Sequence, residues 1–152
     1  MALYRFNDLT VPDKLEYLDV MLHVIKGFGD ELPAACQNTC QEAWVLFDAL
    51  IAKYGYNFNI GDRATRVLRY GIDLFGKVAL PLAPRVLERL ATAFDAWDNS
   101  GYVWILGKLI CKFGNEEDPV LREAFRRAFE MVSAKMMIVL QQGGAMTMPD
   151  GE

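Results

Sequence analysis

Three arginines recur at steps of three in the segment Asp62-Arg-Ala-Thr-Arg-Val-Leu-Arg-Tyr-Gly-Ile-Asp-Leu-Phe-Gly-Lys77. A guanidinium is planar, always charged and carries a fork of N–H donors. Arg63, Arg66 and Arg69 on one surface therefore suit carboxylate or phosphate groups. A helix turns about 100° per residue, which places these three and Asp73 within about 120° of arc. The apolar residues of the segment fall roughly opposite. Tyr70 lies between Arg63 and Arg66 on the charged side, where its ring could take a cation–π contact. The plainer alternative is a solvated face, on which Asp73 pairs with Arg69 at i, i+4 for about 0.2–0.5 kcal/mol and nothing more. A second cluster is weaker: Trp104, Lys108 and Lys112 recur at steps of four. They run away from the stripe of Val103, Leu106, Ile110 and Phe113, and they too could be an ordinary solvated face.

Other reactive residue types lack partners. Cys36 and Cys40 have a helical i, i+4 spacing, but no matching Cys or His pair follows, so they read as core cysteines rather than metal ligands. His23 is the single histidine, which leaves no material for a zinc site or a His-dependent triad. It reads as a partly buried or surface residue. Glu116-Glu117-Asp118 reads as an acidic cluster at a helix N-terminus, where the macrodipole favours it. Met136-Met137 reads as packing. There is no Gly-rich phosphate loop and no catalytic carboxylate pair. The expectation is a protein that is not an enzyme and needs no cofactor or metal.

Composition narrows the classes further. The chain has 152 residues, 53% of them hydrophobic and 24% charged, which is globular rather than disordered. Sixteen basic against twenty acidic residues give a net charge of −4, whereas a general nucleic-acid binder is normally basic. No apolar run reaches the roughly 18 residues of a membrane span, and MALYRFND carries no secretory h-region. Three cysteines, an odd number, argue against a disulfide framework and for a reducing compartment.

The elements that must position these residues are all helical. Apolar spacing predicts six helices, at about 13–28, 33–54, 60–76, 80–97, 101–113 and 118–142. Pro12, Pro33, Pro81, Pro84 and Pro119 fall in first turns, Asp118 reads as an N-cap, and Asp98-Asn99-Ser100-Gly101 reads as a sharp turn. No stretch alternates with period two. Alternate helices begin about 40 residues apart, which is the period of HEAT or armadillo repeats. The expected fold is an all-α solenoid of antiparallel helix pairs over 12–142, after an N-terminal segment 1–11 and before a disordered tail 143–152. On this parsing 33–76 and 80–113 are complete pairs, with a lone second helix before them and a lone first helix after. Tyr17, Met21, Val24 and Phe28, off the main stripe of the first helix, and the Met- and Phe-rich last helix, with Phe125, Phe129, Met131, Met136 and Met137, suggest uncapped faces and self-association. A compact six-helix bundle is the alternative.

Within that frame, the segment Arg63–Lys77, the helix 80–97 and the motif Ser100-Gly-Tyr-Val-Trp-Ile-Leu-Gly-Lys-Leu-Ile-Cys-Lys-Phe-Gly114 resemble the C-terminal half of a nuclear transport receptor. The similarity is to the transportin-SR branch of the importin-β superfamily. It is clearest over 62–114 and weaker over 12–61 and 118–142. The resemblance implies a HEAT-repeat segment that shuttles between cytoplasm and nucleus, carrying protein cargo such as Arg/Ser-rich or other RNA-binding proteins. It implies Ran GTPase as a partner of the whole receptor, and it places no membrane and no direct nucleic acid among the partners. In that branch an arginine-rich second helix binds Arg/Ser-rich segments, favouring phosphorylated ones, and Arg63, Arg66 and Arg69 match positions of that helix. Asp73 departs from the pattern, because the family helix continues there with a basic residue. The implied cargo site is Arg63, Arg66, Arg69, Tyr70 and Asp73, flanked by Trp104, Lys108 and Lys112. The rival expectation is a structural spacer in a large helical scaffold, with no direct ligand.

Overall fold

A computed structural model describes residues 10–26 and 35–146. Helix α1 covers Val11–Lys26, α2 Ala35–Tyr54, α3 Phe58–Phe75, α4 Ala83–Trp97, α5 Ser100–Phe113 and α6 Pro119–Met146. A 3-10 segment, Gly76–Leu82, joins α3 to α4. There is no strand among the described residues.

Local chemistry explains the boundaries. The Asn57 side chain accepts from the backbone N–H groups of Asn59 and Ile60, so α3 starts two residues before the predicted position. Gly76 ends it at φ 53°, a conformation that costs glycine little. The fourth helix starts at Ala83 rather than 80, because Pro81 lies inside the 3-10 segment and Pro84 takes the first α-helical turn. Asp98 ends α4 in the left-handed region, and its carboxylate meets Lys135 of α6 at 3.1 Å. Asn99 then caps α5 by accepting from Gly101 N–H at 2.9 Å. Asp118 caps α6 by accepting from Val120 N–H at 3.0 Å, with Pro119 first in the helix, as the sequence predicts. Helix α6 continues to Met146, past the predicted end at 142.

The six helices form two layers. Helices α1, α3 and α5 lie side by side in one, and α2, α4 and α6 in the other, with α2–α3 and α4–α5 as antiparallel pairs. This is the α-solenoid that the periodicity predicts. The α3 stripe of Ala64, Val67, Leu68, Gly71, Ile72 and Phe75 is buried, and Leu90, Ala91, Tyr102 and Ile105 are fully enclosed. Burying each large aliphatic side chain contributes about 1.5–3 kcal/mol. Helix α5 is rotated from expectation: Tyr102, Ile105, Leu106, Leu109 and Phe113 are buried, while Ile110 is exposed. On α6, Leu121, Ala128 and Val132 face the core, whereas Phe129, Met136 and Leu140 remain exposed. Cys40 is buried, and burial pushes its thiol up to about 11. The Cys36 side chain lies outside the described residues, as do those of Met21, Val24 and Phe28.

Candidate protein-binding site

The α3–α5 seam brings the sequence-predicted residues together. The two helices run parallel, and at their N-terminal halves small residues allow close approach. A Cβ on Gly61 would lie 2.8 Å from both Asn99 Nδ2 and Tyr102 Oη, and one on Gly101 would lie 2.9 Å from Thr65 Oγ1. The buried Tyr102 hydroxyl donates to the Gly55 carbonyl at 3.1 Å, tying the second pair to the turn of the first. Burial pushes that phenol up to about 12.

One helical turn further on, the Arg69 guanidinium lies over the Trp104 ring, 4.5 Å from its centroid. A further turn on, Asp73 takes Lys108 at 3.0 Å and Lys112 at 3.5 Å. The expected adjacency of the arginine helix and the lysine stripe therefore exists. Its chemistry differs from expectation in two places. Asp73 pairs across the seam with the two lysines, not with Arg69 on its own helix. Arg66 pairs instead with Asp62, at 3.1 Å one turn back.

Tyr70 stands apart from the arginines. It is half-buried and stacks on His23 of α1, with centroids 4.6 Å apart and planes 13° from parallel. Those rings belong to the α1–α3 seam, so the expected cation–π contact with Arg63 or Arg66 is not the one formed. Arg63 shares that side of the helix, is exposed and makes no ion pair among the described residues. His23 is a surface residue whose Nδ1 lies 2.8 Å from the Asp19 carbonyl oxygen.

An open groove of about 760 Å³ follows the N-terminal half of the seam. Asp62, Arg66 and Arg69 line it from α3 and Trp104 from α5. Sequence reasoning missed Phe58, Met136 and Ser100, which also line it. Phe58 is 65% exposed and Trp104 is 51% exposed, so the rim carries unusual aromatic surface. The only cue in the sequence was an aromatic residue at the start of α3, which periodicity assigns to no stripe.

The arrangement offers charge and apolar surface together. No group of His, Cys, Asp and Glu suited to a metal occurs among the described residues. None of their helices is long and apolar enough to cross a membrane.

Comparison with protein families matches residues 34–140 to the transportin-3/importin-13 fourth TPR domain. Comparison with curated proteins and with solved structures gave no match. The family description names TPR repeats where the spacing here suggests HEAT. Both are stacked antiparallel helix pairs, and the pairs of this chain recur at about 40 residues rather than the roughly 34 of a TPR unit. The matched stretch takes in α2, α3, α4 and α5 entirely, with most of α6. The two-layer helical stack and the match over most of its length agree, and the chain belongs to the transportin-3/importin-13 family of nuclear transport receptors, through their fourth repeat domain.

Proposed function

We propose that this chain is a cargo-binding segment of a nuclear import receptor of the transportin-SR type. The cargo is an Arg/Ser-rich or related segment of an RNA-binding protein. Arg63, Arg66 and Arg69 of α3 and Trp104 of α5 contact it, with Asp73, Lys108 and Lys112 on the same wall and Tyr70 at its α1 side. Ran engages the whole receptor, and the receptor shuttles between cytoplasm and nucleus. The observation that carries this reading is the open groove in which Arg66 and Arg69 stand beside Trp104 of the neighbouring helix pair. Guanidinium groups beside an exposed indole bind anionic peptide segments well.

A second reading has its own support. Arg66 is paired with Asp62, Arg69 covers Trp104, and Asp73 holds both lysines. A wall that satisfies its own charges also suits a spacer that contributes curvature and no direct contact.

Fluorescence polarisation separates the two. Labelled Arg/Ser-repeat peptides, phosphorylated and not, are titrated against the chain and against an Arg63→Glu/Arg66→Glu/Arg69→Glu variant at two salt concentrations. Binding that the variant abolishes and salt weakens supports cargo contact. Absence of binding, or binding that ignores the variant, supports the spacer.

A further inference from the structure

We infer that the groove at the N-terminal half of the α3–α5 seam selects a bulky apolar side chain flanked by carboxylates, so that its cargo element is an acidic–aromatic peptide. The inference rests on the reading of this wall as a cargo site, and within the groove it replaces the Arg/Ser-rich element by an acidic–aromatic one.

The apolar component comes from the rim. Phe58, Trp104 and Met136 belong to three different helices, and each leaves between two-fifths and two-thirds of its surface exposed around one groove. Phe94 and Val103 continue the apolar lining from α4 and α5. An arginine or serine side chain covers little of that surface. A Phe, Leu or Met side chain covers it and releases the water held there.

The charge component comes from the arginines. The Arg69 guanidinium carbon lies 4.5 Å from the centroid of the Trp104 ring. Arg69 makes no ion pair among the described residues, so its N–H donors are open to a carboxylate, which takes them in pairs. Asp62 offsets Arg66, so the charged groups lining the groove sum to about one positive charge. The N-terminus of α5, at Asn99 and Ser100, adds a partial positive charge to the same groove.

That sum decides between carboxylate and phosphate. A phosphoserine brings about −1.5 to −2 charges and needs more than one uncompensated cation. Of the other cations on this wall, Asp73 holds Lys108 and Lys112, and Arg63 stands on the Tyr70 side of α3, outside the groove lining. The groove therefore matches a singly charged carboxylate beside an apolar side chain.

The test uses the full chain and four fluorescein-labelled peptides in a Gly/Ser background. Their cores are Glu-Phe-Glu, Glu-Ser-Glu, Gln-Phe-Gln and phosphoserine-Phe-phosphoserine. A phosphorylated Arg/Ser peptide runs beside them. Glu-Phe-Glu is expected to bind most tightly, and loss of either its ring or its charge is expected to weaken binding about tenfold. Trp104→Ala and Arg69→Ala are expected to weaken it about tenfold as well, while Trp104→Phe keeps most of the affinity. An Arg85→Ala variant is expected to stay within about twofold of the parent, because Arg85 lies between α2 and α4, outside the groove lining. Far-UV circular dichroism melts confirm that the variants fold. Equal binding of Glu-Ser-Glu, tighter binding of the phosphoserine peptide, or indifference to Trp104→Ala and Arg69→Ala each overturn the inference. Binding of the Arg/Ser peptide with none of Glu-Phe-Glu overturns it and leaves the cargo reading standing. Loss of every peptide removes both.

Discussion

Asp73 of α3 holds Lys108 of α5 at 3.0 Å across the boundary between two helix pairs, and Lys112 one turn on at 3.5 Å. One carboxylate thus occupies two cations that the sequence alone assigns to a ligand. At this position the chain supplies an internal anion.

Replacing that anion should therefore change binding more than folding. All three side chains are partly exposed, so Asp73→Asn is expected to lower stability by no more than about 1 kcal/mol. It frees Lys108 and Lys112, and affinity for a phosphorylated Arg/Ser peptide is expected to rise about tenfold at low salt, with a smaller gain at high salt. Polarisation titrations of the two proteins check this. An unchanged affinity would show that the lysines face away from the bound peptide.

Two glycines, Gly61 in the seam and Gly107 on the open side of α5, predict opposite outcomes for the same substitution. A Cβ on Gly61 meets Asn99 Nδ2 and Tyr102 Oη at 2.8 Å, in a site with nowhere to expand. Gly61→Ala is expected to cost about 1–3 kcal/mol by overpacking. A Cβ on Gly107 meets nothing within 4 Å. Gly107→Ala is expected to add about 0.5–1 kcal/mol, because alanine loses less backbone entropy in a helix. Urea melts measure both, and the reverse order would contradict the packing described.

Alkaline pH should unfold the chain through two buried acids. Burial raises the Cys40 thiol from 9.0 to about 11 and the Tyr102 phenol from 10.0 to about 12. Each ionises more readily in the unfolded chain, so each contributes stability that is complete below the unfolded value and lost as pH rises through the folded one. Stability is expected to hold steady below about pH 9 and to fall between about pH 9 and 12, by up to about 1.4 kcal/mol per pH unit per group. Tyr102→Phe should flatten the upper part of that fall. At neutral pH it should also cost about 0.5–1.5 kcal/mol, from the lost bond to the Gly55 carbonyl. Thermal melts across the pH series test the pair of effects. A fall in stability that begins at neutral pH would point to other groups.

Self-association should follow from the α5–α6 face. Val103, Gly107, Ile110, Phe125 and Phe129 line an apolar groove of about 150 Å³ there, and Phe129 is 69% exposed. Exposed apolar patches of this kind drive association. Light scattering over a dilution series is expected to show species larger than the monomer, and Phe129→Glu to shift them toward monomer. Monomer at every concentration of the parent chain would refute the idea.

Helical periodicity made much of this legible. The α3 stripe from Ala64 to Phe75 marked its buried face, Asp118-Pro119 marked the start of α6, and the spacing of alternate helices marked the two-layer stack. It also placed the arginine and lysine helices side by side. What periodicity reports is an angle around one helix axis. The rotation of that helix against its neighbours is set by tertiary packing, and there the expectations failed. Ile110 turned outward, Tyr70 went to His23, and Asp73 found Lys108 rather than Arg69. Phe58 and Met136 come to the groove from helices far apart in the chain, a meeting that no local pattern encodes.

The α3–α5 seam is built unequally along its length. At Gly61, Thr65 and Gly101 the backbones touch through almost no side chain, whereas at Asp73 and Lys112 they are joined by long arms ending in a contact of 3.5 Å. Short contacts resist stretching, and long flexible ones reach further at little cost. A bend of the stack would pivot at the glycine end and open the lysine end like the ribs of a fan. It would change the width of the wall on the lysine side and leave the groove beside Trp104 in shape.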